Sequence, residues 1–176
     1  MEPQAVEAIN KAVWWLGETK GFWVQTGALS LSAMGALWIV LSRARSERRR
    51  ATVDLVLHQL SDADFQEAMK IFWKIYKDGN LGRFVSQTDA PEYIAIIKIL
   101  NAYEFTAGGI REKAYDERIY KRMRCSTTIK IWDSLSGFVQ DFRNLKQKEP
   151  GVDTRTFYQD LEWIAGKWKK SPLKSR

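Results

Sequence analysis

The chain has 176 residues, with 28 lysines and arginines against 21 acids, a formal net charge of +7, one cysteine and one histidine. Cys125 and His58 on their own exclude a disulfide framework and a cysteine zinc site within one chain, together with most metal centres and most Ser/His or Cys/His catalysis. Charged residues at 28% and hydrophobic residues at 45% exclude a disordered chain, and four prolines without β-branched runs favour helices.

Residues 4–16 read as a short amphipathic helix. Pro3 stands at its first turn, Ala5, Ile9, Ala12, Val13 and Leu16 share one face, and Trp14 and Trp15 close it. Residues 17–21, GETKG, read as a turn. Residues 1–21 are then an external segment that either lies along the outer membrane surface or extends the helix that follows.

That helix is the centre of the reading. Residues 22–41, FWVQTGALSLSAMGALWIVL, contain no charge. A helix rises about 1.5 Å per residue, so this length matches the roughly 30 Å hydrocarbon layer of a bilayer. Phe22 and Trp23 at one end and Trp38 at the other are placed as interface anchors. A buried core helix and a cleaved signal peptide compete with this reading. The run is longer than a signal h-region and starts late, and arginines stand where a small-residue cleavage site belongs. Small residues Ala28, Ser32, Gly35 and Ala36 recur at helical spacing, as in membrane helices that associate closely, which predicts a homo-oligomer interface.

Residues 42–60 read as a basic juxtamembrane helix. Arg43, Arg45, Arg48, Arg49 and Arg50 follow the apolar run, whereas only Lys11 and Lys20 precede it. The positive-inside tendency places the N-terminus outside and the remainder in the cytoplasm. The same five arginines are the expected contact with lipid headgroups, each adding about 1 kcal/mol near an anionic surface. Beyond them Val53, Val56, Leu57 and Leu60 form an apolar stripe. His58, beside it, has no partner ligand nearby in sequence and reads as a packed or surface residue.

Residues 61–170 read as a helical bundle. Ser61 with Asp64 resembles a capping box ahead of Phe65, Ala68, Met69, Phe72, Ile75 and Tyr76. Asp78-Gly79-Asn80 ends that helix. Asp89, Pro91 and Glu92 open the next, whose inner stripe is Tyr93, Ile96, Ile97, Leu100, Tyr103 and Ala107, with Gly108 and Gly109 ending or bending it. Residues 114–147 carry Tyr120, Thr127, Ile131, Leu135, Phe138, Phe142 and Leu145 on one face, with Gly137 a possible kink. Asp153 or Thr154 caps a last helix with Phe157, Leu161, Ile164 and Trp168 inward. Residues 171–176 form a basic tail. The fold class expected is therefore all-α, a single transmembrane helix followed by a cytoplasmic bundle of four or five helices.

Asn101 and Glu104 interrupt the inner stripe of the second bundle helix. A carboxylate placed there must pair or take a raised pKa. Arg118, with Arg111 and Arg122, comes from the segment that folds back, so Asn101, Glu104 and Arg118 form the expected buried polar cluster. Its plainer meaning is a Glu–Arg pair fixing register, and its functional meaning a polar pocket. The run from Tyr115 to Arg124 mixes charges as solvated helix faces do. It also raises nucleic acid as an alternative partner, provided Tyr115 and Tyr120 are exposed for stacking. No phosphate loop, HExxH, CxxC or GxSxG motif is present, so no enzyme, cofactor or small-molecule substrate is expected.

The segments ILNAYEFTAGGIR, YDERIYKR, W-x-x-L-x-G-F-x-x-D-F-R and FYQDLEWIAGKW, from Asp89 to Trp168, together resemble a group of bacterial proteins of unknown function. These join an N-terminal membrane helix to a small helical cytoplasmic domain, and some are associated with phages or mobile elements. Leu100, Asn101 and Glu104 match its L-N-x-x-E element and Arg143 its late arginine. The resemblance covers roughly half the chain and implies fold and topology, with no reaction. The function expected is a membrane-tethered interaction or regulatory module that self-associates, in a setting of phage–host conflict or envelope stress.

Overall fold

The computed structural model describes residues 13–15, 18–77, 79, 81–147 and 153–173. Of the expected N-terminal amphipathic helix, residues 4–12 lie outside the described residues. Its last part is extended instead: β1 (Val13–Trp15) pairs antiparallel with β2 (Glu18–Thr19), Val13 opposite Thr19 and Trp15 opposite Glu18. Everything else of regular structure among the described residues is helical. The helices are α1 (Lys20–Ser61), α2 (Ala63–Tyr76), α3 (Pro91–Arg111), α4 (Glu117–Lys146) and α5 (Gln159–Lys170), with single 3-10 turns at Gly82–Phe84 and Thr154–Thr156.

The chain divides into two compact units, Met1–Ser46 and Glu47–Arg176. The first contains the apolar run as the opening half of α1. No residue of that run is buried; Val24 is 74% exposed and Trp38 71%. A core helix of a soluble protein would hide such side chains, because burial of apolar surface is what holds a core together. One helix near the N-terminus is thus long and apolar enough to span a membrane.

The second unit includes the end of α1 from Glu47 onward. The expected stripe on this part of α1 is rotated. Val56 is buried, but Val53, Leu57 and Leu60 are exposed, and the inward positions are the polar Thr52 and Gln59. Thr52 donates to the Arg48 carbonyl (2.7 Å) and accepts from the Asp116 amide (2.7 Å), and Gln59 donates to the Thr106 hydroxyl (3.2 Å). Satisfied polar groups can line a core where apolar periodicity alone points elsewhere.

Ser61 ends α1 rather than capping α2. The cap is Asp62, whose carboxylate accepts from the Phe65 amide (3.1 Å), while the Ser61 hydroxyl donates back to the His58 carbonyl. Phe65, Ala68, Phe72 and Ile75 then bury against α3, and Tyr76 stays partly exposed. Asp78 and Asn80 lie outside the described residues; Gly79 between them has φ +78, a left-handed conformation that glycine adopts without a steric cost. Ala90, not Asp89, is the N-cap of α3, and Pro91 fills the first turn, where its missing amide costs nothing.

Helix α3 runs on through Gly108 and Gly109 and ends at Arg111. A Cβ at Gly109 would lie 2.4 Å from two ring carbons of Tyr115, so this glycine is where the ring of the α3–α4 turn packs on the helix backbone. Gly109→Ala is expected to destabilise the domain by about 1–3 kcal/mol through overpacking, outweighing the roughly 1 kcal/mol gained in helix propensity. A urea midpoint at or above that of the parent would refute this.

Helix α4 is capped by Asp116, whose carboxylate accepts from the Ile119 amide (3.1 Å), and it passes through Gly137 as one helix. Its core face holds Tyr120, Thr128, Ile131, Leu135, Phe138 and Phe142, so Thr128 replaces the expected Thr127, and Leu145 is exposed. Helix α5 packs on both α3 and α4, with Leu161, Ile164, Ala165 and Trp168 buried.

Candidate functional site

The motif residues Asn101, Glu104 and Arg143 converge on the start of α5. The sequence leaves that helix without a cap of its own. Tyr158, at the N-cap, has φ 58 and its side chain makes no hydrogen bond to the amides of the first turn, and Asp153 caps only the 3-10 turn before it. Orphan amides at a helix start must be satisfied from somewhere. Glu104, on α3, supplies the acceptor: its carboxylate takes hydrogen bonds from the amides of Asp160 (3.2 Å) and Leu161 (2.7 Å). Arg143, on α4, donates twice to the Phe157 carbonyl (3.1 and 2.7 Å) and once to Glu162 (2.8 Å). The Tyr158 hydroxyl donates to Asn101 (3.3 Å), and Arg111 pairs with Asp160 (2.5 Å).

Electrostatics at this junction are mixed. Burial pushes the Glu104 carboxyl up; the Leu161 and Asp160 amides pull it down, the Asp160 carboxylate raises it again and Arg143 lowers it, leaving a net rise. Burial also pushes the Tyr158 hydroxyl up to about 12, with the Tyr93 hydroxyl and the Glu104 carboxylate acting in the same direction. The expected buried cluster is therefore changed. Glu104 is half-buried and Asn101 exposed, and both serve α5. Arg118 does not join them: it is exposed in the first turn of α4. The neighbouring Glu117 contacts the other end of α5, bonding Lys167 (2.7 Å) and the Trp168 indole (3.0 Å). Burial raises the Glu117 carboxyl, but those two hydrogen bonds and the positive charges of Lys167 and Lys121 outweigh it and hold it below the usual carboxylate range.

A second polar group lies deeper and was not anticipated from the sequence. Tyr103, Tyr120, Thr106 and Thr128 are fully buried between α3 and α4, with Gln59 of α1 and the half-buried Arg124 beside them. The Tyr120 hydroxyl, Arg124 Nη2 and Thr128 Oγ1 are buried without a well-formed hydrogen bond, although Thr106, Gln59 and Thr128 lie near that hydroxyl. Burial raises the Tyr120 hydroxyl, and Arg124 acts against it. Burial likewise raises Tyr103. The signal available in sequence was the i, i+4 spacing of Tyr120, Arg124 and Thr128, which places an arginine on the core face. Because the Tyr120 hydroxyl is poorly paired, Tyr120→Phe is expected to shift stability by no more than about 1 kcal/mol in either direction, read from urea unfolding. A loss above about 2 kcal/mol would mean that the hydroxyl anchors a formed network.

The remaining candidates lie on the surface. All five arginines, Arg43, Arg45, Arg48, Arg49 and Arg50, are exposed. Arg49 is 3.5 Å from Asp116 and Arg50 is 3.8 Å from Asp54. Ala28, Ser32, Gly35 and Ala36 are exposed on α1, and no atom lies within 4 Å of a Cβ built on Gly35. Two shallow grooves, of about 470 and 320 Å³, share Tyr76, Asp133 and Ser134 beside α4. No group of three or more His, Cys, Asp or Glu side chains among the described residues is placed to hold a metal ion.

Residues 26–168 match DUF4760, a domain of unknown function. The chain belongs to this family. No curated protein and no solved structure matches it. The DUF4760 match begins inside the apolar run and ends at Trp168, so the family unit takes in most of that run as well as the helical domain. Within it, Asn101, Glu104 and Arg143 join α3 and α4 to the start of α5.

Proposed function

We propose that this DUF4760 protein is a single-pass membrane protein of a bacterial inner membrane whose helical domain is a cytoplasmic interaction or regulatory module. The observation that carries the proposal is the apolar half of α1, none of it buried, followed at once by exposed arginines, in a chain whose core lies elsewhere. The arginine asymmetry gives an external N-terminus. Self-association is part of the reading. Ala28, Ser32, Gly35 and Ala36 leave room for a second helix in lipid. Copies tethered in one membrane also point the same way, so the exposed Val53, Leu57 and Leu60 of one can face those of another. A role in phage–host conflict or envelope stress rests on the resemblance alone. A nucleic-acid partner is less well supported, because Tyr120 is buried and Tyr115 packs on Gly109, so neither of the two expected tyrosines stands free to stack on a base.

The test is cross-linking of the full-length chain in native membranes after carbonate washing, with protease applied from each side. The expected result is a membrane-retained protein, a C-terminus protected from outside, and self-links that disappear when Ala28, Ser32, Gly35 and Ala36 are replaced by leucine. Release by carbonate would overturn the tether, and self-links unaffected by the leucines would overturn the interface.

A further inference from the structure

Tertiary folding gathers basic residues that are far apart in sequence. Thr52 and Arg49 of α1 both contact Asp116, which pins the start of α4 to the arginine-rich part of α1. Arg118 and Arg122 follow within two turns of that contact on the exposed side of α4. Lys121, between them, donates to the Ser171 carbonyl and to its hydroxyl (3.1 Å), bringing in the end of α5 and the exposed Lys170. One end of the domain therefore combines Arg49, Arg50, Arg118, Lys121, Arg122 and Lys170. Three of the acids there are occupied internally: Asp116 caps α4 and faces Arg49, Glu117 holds Lys167 and Trp168, and Asp54 is paired with Arg50. Glu47 and Glu112 are the other acids nearby.

Arg50 follows the end of the apolar run by nine residues of sequence. We infer that this end of the domain is a docking face for an anionic bilayer surface, on which Arg118, Arg122, Lys121 and Lys170 meet lipid phosphates together with the α1 arginines. The inference rests on the tethered reading above and extends it from a basic linker to a folded face. The complementary partner is a sheet of negative charge, since exposed cations from three helices share one end of the domain. Docking there would set the direction in which the remaining faces are presented to a partner.

The experiment places the full-length chain in nanodiscs of phosphatidylcholine, with or without phosphatidylglycerol, and measures acylation of Lys121 and Lys170 relative to Lys77 at the end of α2. The expected result is labelling slowed about threefold or more by the anionic lipid, with the protection lost in high salt and in Arg118→Glu/Arg122→Glu. Equal labelling in both lipids, in a chain that remains inserted, would overturn the docking face and leave the tether standing. Failure to insert would overturn both. Should the double variant unfold, the salt dependence of the parent chain decides.

Discussion

Trp168→Ala is expected to cost about 3–5 kcal/mol, the range for deleting a buried aromatic side chain. Against a typical domain stability of about 5–15 kcal/mol, this is enough to leave the domain substantially unfolded at modest denaturant. Trp168 is wholly buried at the end of α5, with its ring 6.2 Å from that of Tyr120. Its indole also donates to Glu117, so truncation both opens a cavity and removes a hydrogen bond to a charged group. Trp168→Phe separates the two effects. It keeps most of the volume, gives up the Glu117 contact, and is expected to cost clearly less than alanine, about 1–3 kcal/mol. Urea unfolding followed by near-ultraviolet circular dichroism reads both variants. Equal losses would mean that the hydrogen bond, rather than packing, dominates.

Removing the Glu104 carboxylate is expected to have the next largest effect. Glu104→Ala leaves the Asp160 and Leu161 amides without their acceptor at a helix start that has no other cap, a loss of about 2–4 kcal/mol. Glu104→Gln keeps one oxygen acceptor and is expected to lose less than alanine. The sign of the Glu104 shift supports this ranking. Its carboxyl is pushed up mainly by burial, so the fold holds the neutral form better than the unfolded chain does. For a group raised in this way, the stability it contributes is fully present below its unfolded pKa and diminishes as pH rises through the folded value. The difference in stability between the parent and Glu104→Gln should accordingly move in the parent's disfavour as pH rises through the carboxylate range. A pH-independent difference would show that burial does not govern this side chain.

The helices themselves were legible because their signals are local. Charge-free length marks the opening half of α1, and the 3.6-residue period marks α2, α3 and α5. Boundaries were less legible where two candidate caps adjoin. Ser61 and Asp62 are both good caps, and the connection between α1 and α2 leaves room for only one residue, so Asp62 takes the role. The polar site was half legible. Glu104 stood out as a carboxylate on an apolar stripe, but pairing it with Arg118 assumed that a cation from the segment folding back would be the partner. A cap depends on which helix start lies opposite, and the start of α5 is 56 residues away in sequence.

The sequence by itself thus determined that the chain is helical, that one helix is apolar enough for a membrane, and that cations crowd its end, since each follows from residues within a turn or two of one another. Only the tertiary structure decided which face of α1 is inside, what Glu104 caps, that Tyr120 and Arg124 share a buried polar core, and that α4 and α5 bring further cations to the arginines of α1. Those outcomes depend on contacts between residues 14 to 67 positions apart, for which hydrophobic period and local capping chemistry carry no information.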